Sequence, residues 1–166
     1  MPIRDVYALK MDKNSALQKR ELFTEYLTRK GHRKTPERYA ILDLICSING
    51  HFDVDLLYKS LESANFHVSR ATLYNTIELL VDSRLLVRHQ FGIQGVQYEC
   101  ADRACTHFHL VCTHCGKIQE QKDQAFNAMV LTKKLTKFTP EYYSLYIFGL
   151  CSKCKYALKR KEQKEY

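Results

Sequence analysis

Two Cys-x-x-Cys pairs, Cys112 with Cys115 and Cys151 with Cys154, bring four thiols into a chain of 166 residues. Four thiolates complete a tetrahedral zinc shell at about 2.3 Å per sulfur, and a zinc closed by four protein ligands keeps no position for water. The chemistry this implies is structural, not catalytic. Gly116, directly after Cys115, allows the tight turn that a metal knuckle needs. The 35 residues between the pairs exceed the loop of a zinc ribbon, so the ion is expected to staple two distant elements. Disulfides, a thioredoxin-like redox pair and coincidence compete with this reading. A redox pair leaves the second Cys-x-x-Cys without a role. Disulfides suit a secreted chain, whereas the first 13 residues carry Arg4, Asp5, Lys10, Asp12 and Lys13 and no apolar run resembling a signal peptide. The expected location is therefore cytoplasmic. Cys46, beside Leu42 and Ile45 at helical spacing, reads as a buried apolar thiol. Cys100 and Cys105 have no assigned role.

His107-Phe108-His109 is the next arrangement with chemical content. Residues two apart on a strand share a face, so the imidazoles converge while Phe108 points away. Glu99 and Glu120 are carboxylates able to complete a mixed nitrogen and oxygen site suited to iron(II), manganese, zinc or cobalt. An ordinary surface pair of histidines is the bland alternative. From a different class, His107, His109 and one glutamate could ligate the zinc of a hydrolase with the other glutamate as base. Against that, no nucleophile or cluster of oxyanion donors is recognisable.

The formal charge is +8, and four thiolates with one zinc leave it at +6. This excess favours a polyanionic partner such as nucleic acid. Arg29, Lys30, Arg33, Lys34 and Arg38 face only Glu37 among their neighbours and form the better cluster for phosphate contact; the basic residues of 153–166 read as a solvated helix end. No stretch reaches 18 apolar residues, so no membrane partner is expected.

These groups need elements to position them. Residues 15–30 read as a helix ending near Gly31, and Thr35-Pro36 as the N-cap and first position of a second helix with an Ile41, Leu44, Ile45, Ile48 stripe, stopped by Asn49-Gly50. A third helix follows Asp53 and buries Val54, Leu57, Tyr58 and Leu61. Ser69 caps a fourth, with Leu73, Ile77, Leu80 and Val81 inward and Tyr74, Asn75, Glu78 and Asp82 outward. The period then falls to two in segments 85–91 and 93–99 around Gly92, a hairpin. Three helices followed by a hairpin make a winged helix-turn-helix, and the fourth helix in sequence is the one placed to enter a major groove, presenting Tyr74 and Asn75, although a solvated helix face has the same pattern. Beyond Ala101, strands at 107–111 and 117–121, a helix over 123–137 with Phe126, Met129 and Val130 inward, and an aromatic strand over 142–148 form a small α+β unit. That unit is too small to stand comfortably alone, and its apolar strand suits pairing with a second copy. The expected class is α+β: a winged-helix domain with an N-terminal extension (1–98), a hinge (99–106), and a zinc-stapled α/β dimerisation domain (107–166).

Together these motifs resemble the ferric uptake regulator (Fur) family of bacterial metal- and peroxide-responsive repressors. The resemblance covers about residues 15–155. It rests on residues 31–38 (Gly-His-Arg-Lys-Thr-Pro-Glu-Arg), residues 71–75 (Ala-Thr-Leu-Tyr-Asn), Tyr98-Glu99, the run from His107 to Glu120, and the late Cys151 and Cys154. It implies a homodimer that binds double-stranded operator DNA, structural Zn2+ on Cys112, Cys115, Cys151 and Cys154, and a regulatory Fe2+, Mn2+ or Zn2+ on His51, Glu99, His107, His109 and Glu120. DNA contact is then expected from Arg33, Lys34, Arg70, Thr72, Tyr74 and Asn75. Peroxide sensors of the family usually carry aspartate where Glu99 and Glu120 stand, so the resemblance leans toward an iron-uptake regulator. Zinc-uptake members often recruit cysteine, which Cys100 and Cys105 keep open. A further metal site of many members falls on Thr106, Phe108, Asn127 and Tyr143, none a strong ligand, so that site is expected to be absent. Many members read Tyr-Arg where Tyr74-Asn75 stands; asparagine pairs bidentately with adenine but does not anchor phosphate, implying a different operator. One additional residue lies between Glu99 and Cys112.

Overall fold

Leu, Ile and Phe at helical spacing in the first half produce four helices: α1 (Ala16–Arg29), α2 (Pro36–Ser47), α3 (Val54–Ser63) and α4 (Arg70–Asp82). The computed structural model describes residues 16–91, 95–104, 106–138 and 143–163, so the Gly92 turn, Cys105 and residue 142 lie outside the described residues. Asp53 accepts the Leu56 amide at 2.7 Å and Ser69 the Thr72 amide at 3.1 Å, satisfying donors that open α3 and α4. Thr35 occupies the N-cap of α2, but its side chain makes no capping hydrogen bond; Pro36 presets the first helical turn instead. Phe23, Leu27, Ile41, Leu42, Ile45, Leu57, Leu61, Leu73, Ile77 and Leu80 bury almost completely in one core. Val81 and Tyr58 only flank it.

The wing is β1 (Leu86–Gln90) antiparallel to β2 (Val96–Cys100); residues 93 and 94 of the predicted second strand lie outside the described residues. β2 runs one residue past Glu99, and the short helix α5 (Ala101–Ala104) follows directly. α5 is tied to the helical core. Lys19 on α1 contacts Asp102 at 3.1 Å, and the Arg103 guanidinium donates to the carbonyls of Ile48 and Cys46 at the end of α2. Those carbonyls are among the ones a helix leaves unsatisfied at its C-terminus.

The second half is a three-stranded sheet in the order β4 (Ile118–Gln121), β3 (Phe108–Cys112), β5 (Tyr146–Gly149), with α6 (Gln124–Thr132) and α7 (Ser152–Glu162). β3 pairs antiparallel to β4 and parallel to β5. Three expectations need correction. The helix predicted over 123–137 stops at Thr132: Lys133 turns extended with its amide closing on the Val130 carbonyl at 3.2 Å, and Lys137 takes a left-handed φ of 59°, a backbone no helix can pass through. Met129, expected inward, is 53% exposed. The aromatic strand starts at Tyr146, because β3 offers ladder partners to it only from His109 to Cys112.

Candidate functional site

The four cysteines converge. The main-chain turn of Cys112-x-x-Cys115 closes through the Gly116 amide, which donates to the Cys112 carbonyl at 2.9 Å with Gly116 at a φ of 72°. Register between β3 and β5 sets Cys112 opposite Gly149, and the Thr113 amide donates to the Gly149 carbonyl at 2.8 Å. That delivers the second pair: Cys151 is the N-cap of α7 and Cys154 lies in its first turn. The four sulfurs lie within 4.8 Å of one another, with Cys115 Sγ and Cys151 Sγ 3.8 Å apart. The Cys151 amide donates to Cys112 Sγ at 3.3 Å; this amide and that of Cys115 hold the Cys112 thiol down at about 6. Burial, then the neighbouring sulfurs, push Cys154 up to about 12. Four thiols this close cannot all ionise unless a cation joins them, and sulfur donors at this spacing fit zinc.

A second cluster forms where the two halves meet. Gly50, at a φ of 90°, turns the chain out of α2, and Phe52 then makes a two-way backbone bridge with Tyr98 (3.0 and 2.8 Å). The bridge fixes His51 beside Glu99 in the next position of β2. Across from them, β3–β4 register pairs His109 with Glu120. The alternation along β3 behaves as expected: His107 and His109 turn into the cluster, while Phe108 packs against Phe126 at 5.6 Å on the other side.

All five residues that the resemblance assigns to a regulatory metal come together. His51 Nε2 lies 2.8 Å from His109 Nε2, which lies 3.1 Å from His107 Nε2. Glu99 approaches His51 at 3.4 Å and His107 at 3.5 Å, and Glu120 Oε1 lies 3.1 Å from His51 Nδ1. Glu99, His107 and His109 are at most 3% exposed. Burial alone would raise the Glu99 carboxyl, but the imidazoles of His51, His89 and His107 outweigh it and hold Glu99 down at about 2. Burial, then the charges of His51, His89 and His107, lower His109 to about 3, so it stays a neutral imidazole at physiological pH. Imidazole nitrogens facing one another with Nε2, against an ionised buried carboxylate, are the donor set of a divalent cation. Glu99 Oε2 and His109 Nδ1 are buried without a hydrogen-bond partner, as expected of a site whose polar atoms await a ligand.

Sequence reasoning missed His89. It lies on β1, fully buried, with Nε2 3.4 Å from Glu99 Oε2 and ring contacts to His51 and His109. No spacing signal marks it: it has no histidine partner at i±2, and only the packing of the second sheet against the wing draws it in.

The positions of the family's further metal site carry a neutral network instead. Asn127 donates to the Thr106 carbonyl at 2.8 Å and accepts from the Tyr143 hydroxyl at 3.4 Å.

Of the residues expected to meet DNA, Tyr74 and Asn75 are exposed on α4, and Arg33 and Lys34 are exposed between α1 and α2. Arg70 is engaged already: it pairs with Asp55 at 2.8 Å and stacks over Tyr58. The Thr72 hydroxyl is shared with Ser69 at 2.9 Å in the α4 cap.

A winged helix-turn-helix joined to a small sheet, with a four-sulfur cluster at one end and a mixed histidine and carboxylate cluster between the halves, defines a metal-responsive transcriptional regulator. The model of the ferric uptake regulator family matches residues 29–148, and the chain belongs to that family. It is a regulator, not an enzyme, so the hydrolase reading falls away. The peroxide operon regulator of Bacillus subtilis is 30% identical over 131 residues, spanning 78% of this chain and 89% of that protein. The manganese-containing ferric uptake regulator structure from Pseudomonas aeruginosa is 26% identical, covers 75% of this chain and 96% of its own, and superposes with a TM-score of 0.57. The Helicobacter pylori regulator, described with three functional metal binding sites, shares the fold at a TM-score of 0.64 and 19% identity, covering 85% of this chain and 94% of that one. No described helix is long and apolar enough to cross a membrane.

Proposed function

We propose that the chain is a cytoplasmic, dimeric repressor whose affinity for operator DNA is set by a divalent metal held between its halves, most simply as an iron-uptake regulator. The observation that carries this reading is the convergence of His51 and Glu99, from the helices and wing, with His107, His109 and Glu120, from the second sheet. Cys112, Cys115, Cys151 and Cys154 hold a structural zinc. The division proposed with this reading is a winged-helix domain with an N-terminal extension (1–98), a hinge (99–106) and a dimerisation domain (107–166); His51 on one side of the hinge and His107, His109 and Glu120 on the other support it, while Glu99 lies near the end of the wing strand, where the hinge begins.

His51 and Glu99 move with the DNA-reading helices, and His107, His109 and Glu120 with the sheet. Ligands from both halves that share one cation are bound to a single relative orientation of those halves. A bound ion contributes charge neutralisation and directional bonds; the residues decide which arrangement benefits. Only differential affinity for that arrangement drives the change, and a coupling of about 1–3 kcal/mol alters DNA affinity roughly 5- to 150-fold. Exposed Leu135, Phe138, Ile147, Phe148 and Leu150 give the second half an apolar surface for a second copy, and β5, the edge strand of the sheet among the described residues, carries two of them.

Glu99 and Glu120 favour the iron-uptake type, whereas the 30% identity to a peroxide operon regulator favours peroxide sensing. One experiment separates them: operator affinity of the iron-loaded dimer before and after stoichiometric hydrogen peroxide, with manganese-loaded protein as control. An uptake-type regulator keeps its affinity; a peroxide sensor loses it in the iron form alone. Operator binding that ignores every divalent cation would remove the proposal.

A further inference from the structure

His89 presents a buried imidazole to the regulatory cluster with one nitrogen occupied and the other not. Nδ1 lies 2.7 Å from the hydroxyl of Tyr146 on β5, while Nε2, with no hydrogen-bond partner, faces Glu99 Oε2. The ring is wedged rigidly: it stacks on Phe91 at 5.3 Å, and Tyr146 in turn stacks on His109 at 5.4 Å. Metal-binding histidines characteristically engage one ring nitrogen in such a hydrogen bond, fixing the tautomer and aiming the other lone pair at the ion. A fully buried imidazole nitrogen without a partner is otherwise a net cost.

Donor atoms of two overlapping groups lie within 4.8 Å of one another: His51, His89, Glu99 and His109, and His51, Glu99, His107 and Glu120. They share His51 and Glu99. The first supplies three imidazoles and one carboxylate, the second two of each, and the second includes the partly exposed Glu120.

We propose that His89 is an additional ligand, donated by the wing through Nε2, and that the cluster offers two coordination sets between which the metal's chemistry chooses. This rests on the regulatory-metal reading above. Cobalt(II) and zinc, which gain more from imidazole nitrogen, take the set containing His89; manganese(II), which is served well by carboxylate oxygen, takes the set containing Glu120. Because His89 stands on β1, opposite Gln97 in the wing ladder, the two sets anchor the wing differently, and metal identity reaches the DNA-binding half as well as metal presence.

The test uses the full-length dimer with its cysteine site filled by zinc, titrated with cobalt(II) alone and manganese(II) alone. His89→Gln is expected to weaken cobalt(II) binding about 10- to 100-fold and alter its visible d–d spectrum, while manganese(II) affinity stays within about 3-fold. Glu120→Gln is expected to do the reverse. Tyr146→Phe, which leaves the imidazole in place, should weaken cobalt(II) in the same direction by a smaller factor. If His89→Gln left the cobalt(II) spectrum and the cobalt-to-manganese affinity ratio unchanged, or lowered both affinities equally, His89 would be a packing residue and the proposal would be overturned. His107→Ala keeps the two levels apart: if it too changed nothing, the regulatory site itself would have been misassigned, whereas a response to His107→Ala without one to His89→Gln rejects the two-set proposal alone. Should His89→Gln fail to fold, Glu120→Gln and Tyr146→Phe still decide, since equal effects on both metals contradict separate sets.

Discussion

His51 differs from its neighbours in the cluster because of where its backbone is attached. Its bridge through Phe52 to Tyr98 fixes it to the helical half and the wing, whereas His109 lies on β3 and His107 directly precedes that strand. Loss of His107 should weaken ion binding directly, since imidazoles hold borderline metals more strongly than a lone carboxylate does. In His51→Ala the ion is still offered the remaining side chains, but one tie to the DNA-reading half is cut. The expected outcome is measurable metal binding with most of the metal effect on operator affinity lost, a drop toward the lower end of the roughly 5- to 150-fold range. Metal titration and operator titration run separately on both variants check this; an unchanged metal response in both would mark the residues as an ordinary polar cluster. Strand alternation carries His107 and His109, Glu99 and Glu120 stand out as neighbouring carboxylates, and His51 follows only from the family resemblance. His89 was not legible in the sequence, for its burial is a property of tertiary packing.

At the scale of elements, α4 shows how far local pattern reaches. Its cap at Ser69, its buried Leu73, Ile77 and Leu80, and its exposed Tyr74 and Asn75 all follow from helical periodicity. The side-chain partners that cross between elements do not. The Arg70–Asp55 pair joins α4 to α3 and costs Arg70 some of its freedom to meet phosphate, which one helix read alone cannot reveal. Arg33, exposed ahead of α2, remains the better phosphate contact. Arg33→Ala is expected to lower affinity for all DNA sequences alike and to reduce the salt dependence by about one charge. Asn75→Ala should instead cost about 1–3 kcal/mol at particular base positions and little on non-specific DNA. Affinities over a salt series, on operator and scrambled duplexes, distinguish the two; parental behaviour in both would move the recognition surface elsewhere. The shortened α6 and β5 mark the other limit: local pattern extended both, while α6 closes at the Lys133 cap and β5 begins where β3 offers it a partner.

Across the whole molecule, the two halves are stabilised by different means. The first has a continuous core of Phe, Leu and Ile, whereas the described residues of the second bury little beyond Val111, His107, His109 and two cysteines of the sulfur cluster, and leave Phe138, Ile147, Phe148 and Leu150 open. A half with so small a core depends on a metal staple and on a second copy. The two supports are linked, because the sulfur cluster sets the end of β5 and the start of α7, the same stretch that carries the exposed apolar residues. Cys112→Ser or Cys151→Ser should therefore release the tightly held zinc and weaken dimerisation together, while the helical half keeps its core. Zinc content after mild chelation, sedimentation across a concentration series and far-ultraviolet circular dichroism measure the three quantities. Zinc loss with helices retained and a dimer dissociating at higher concentration than the parent is the expected result. Full zinc occupancy with an intact dimer in both variants would mean that the four sulfurs are not the staple, and that the second half is held together by its partner alone.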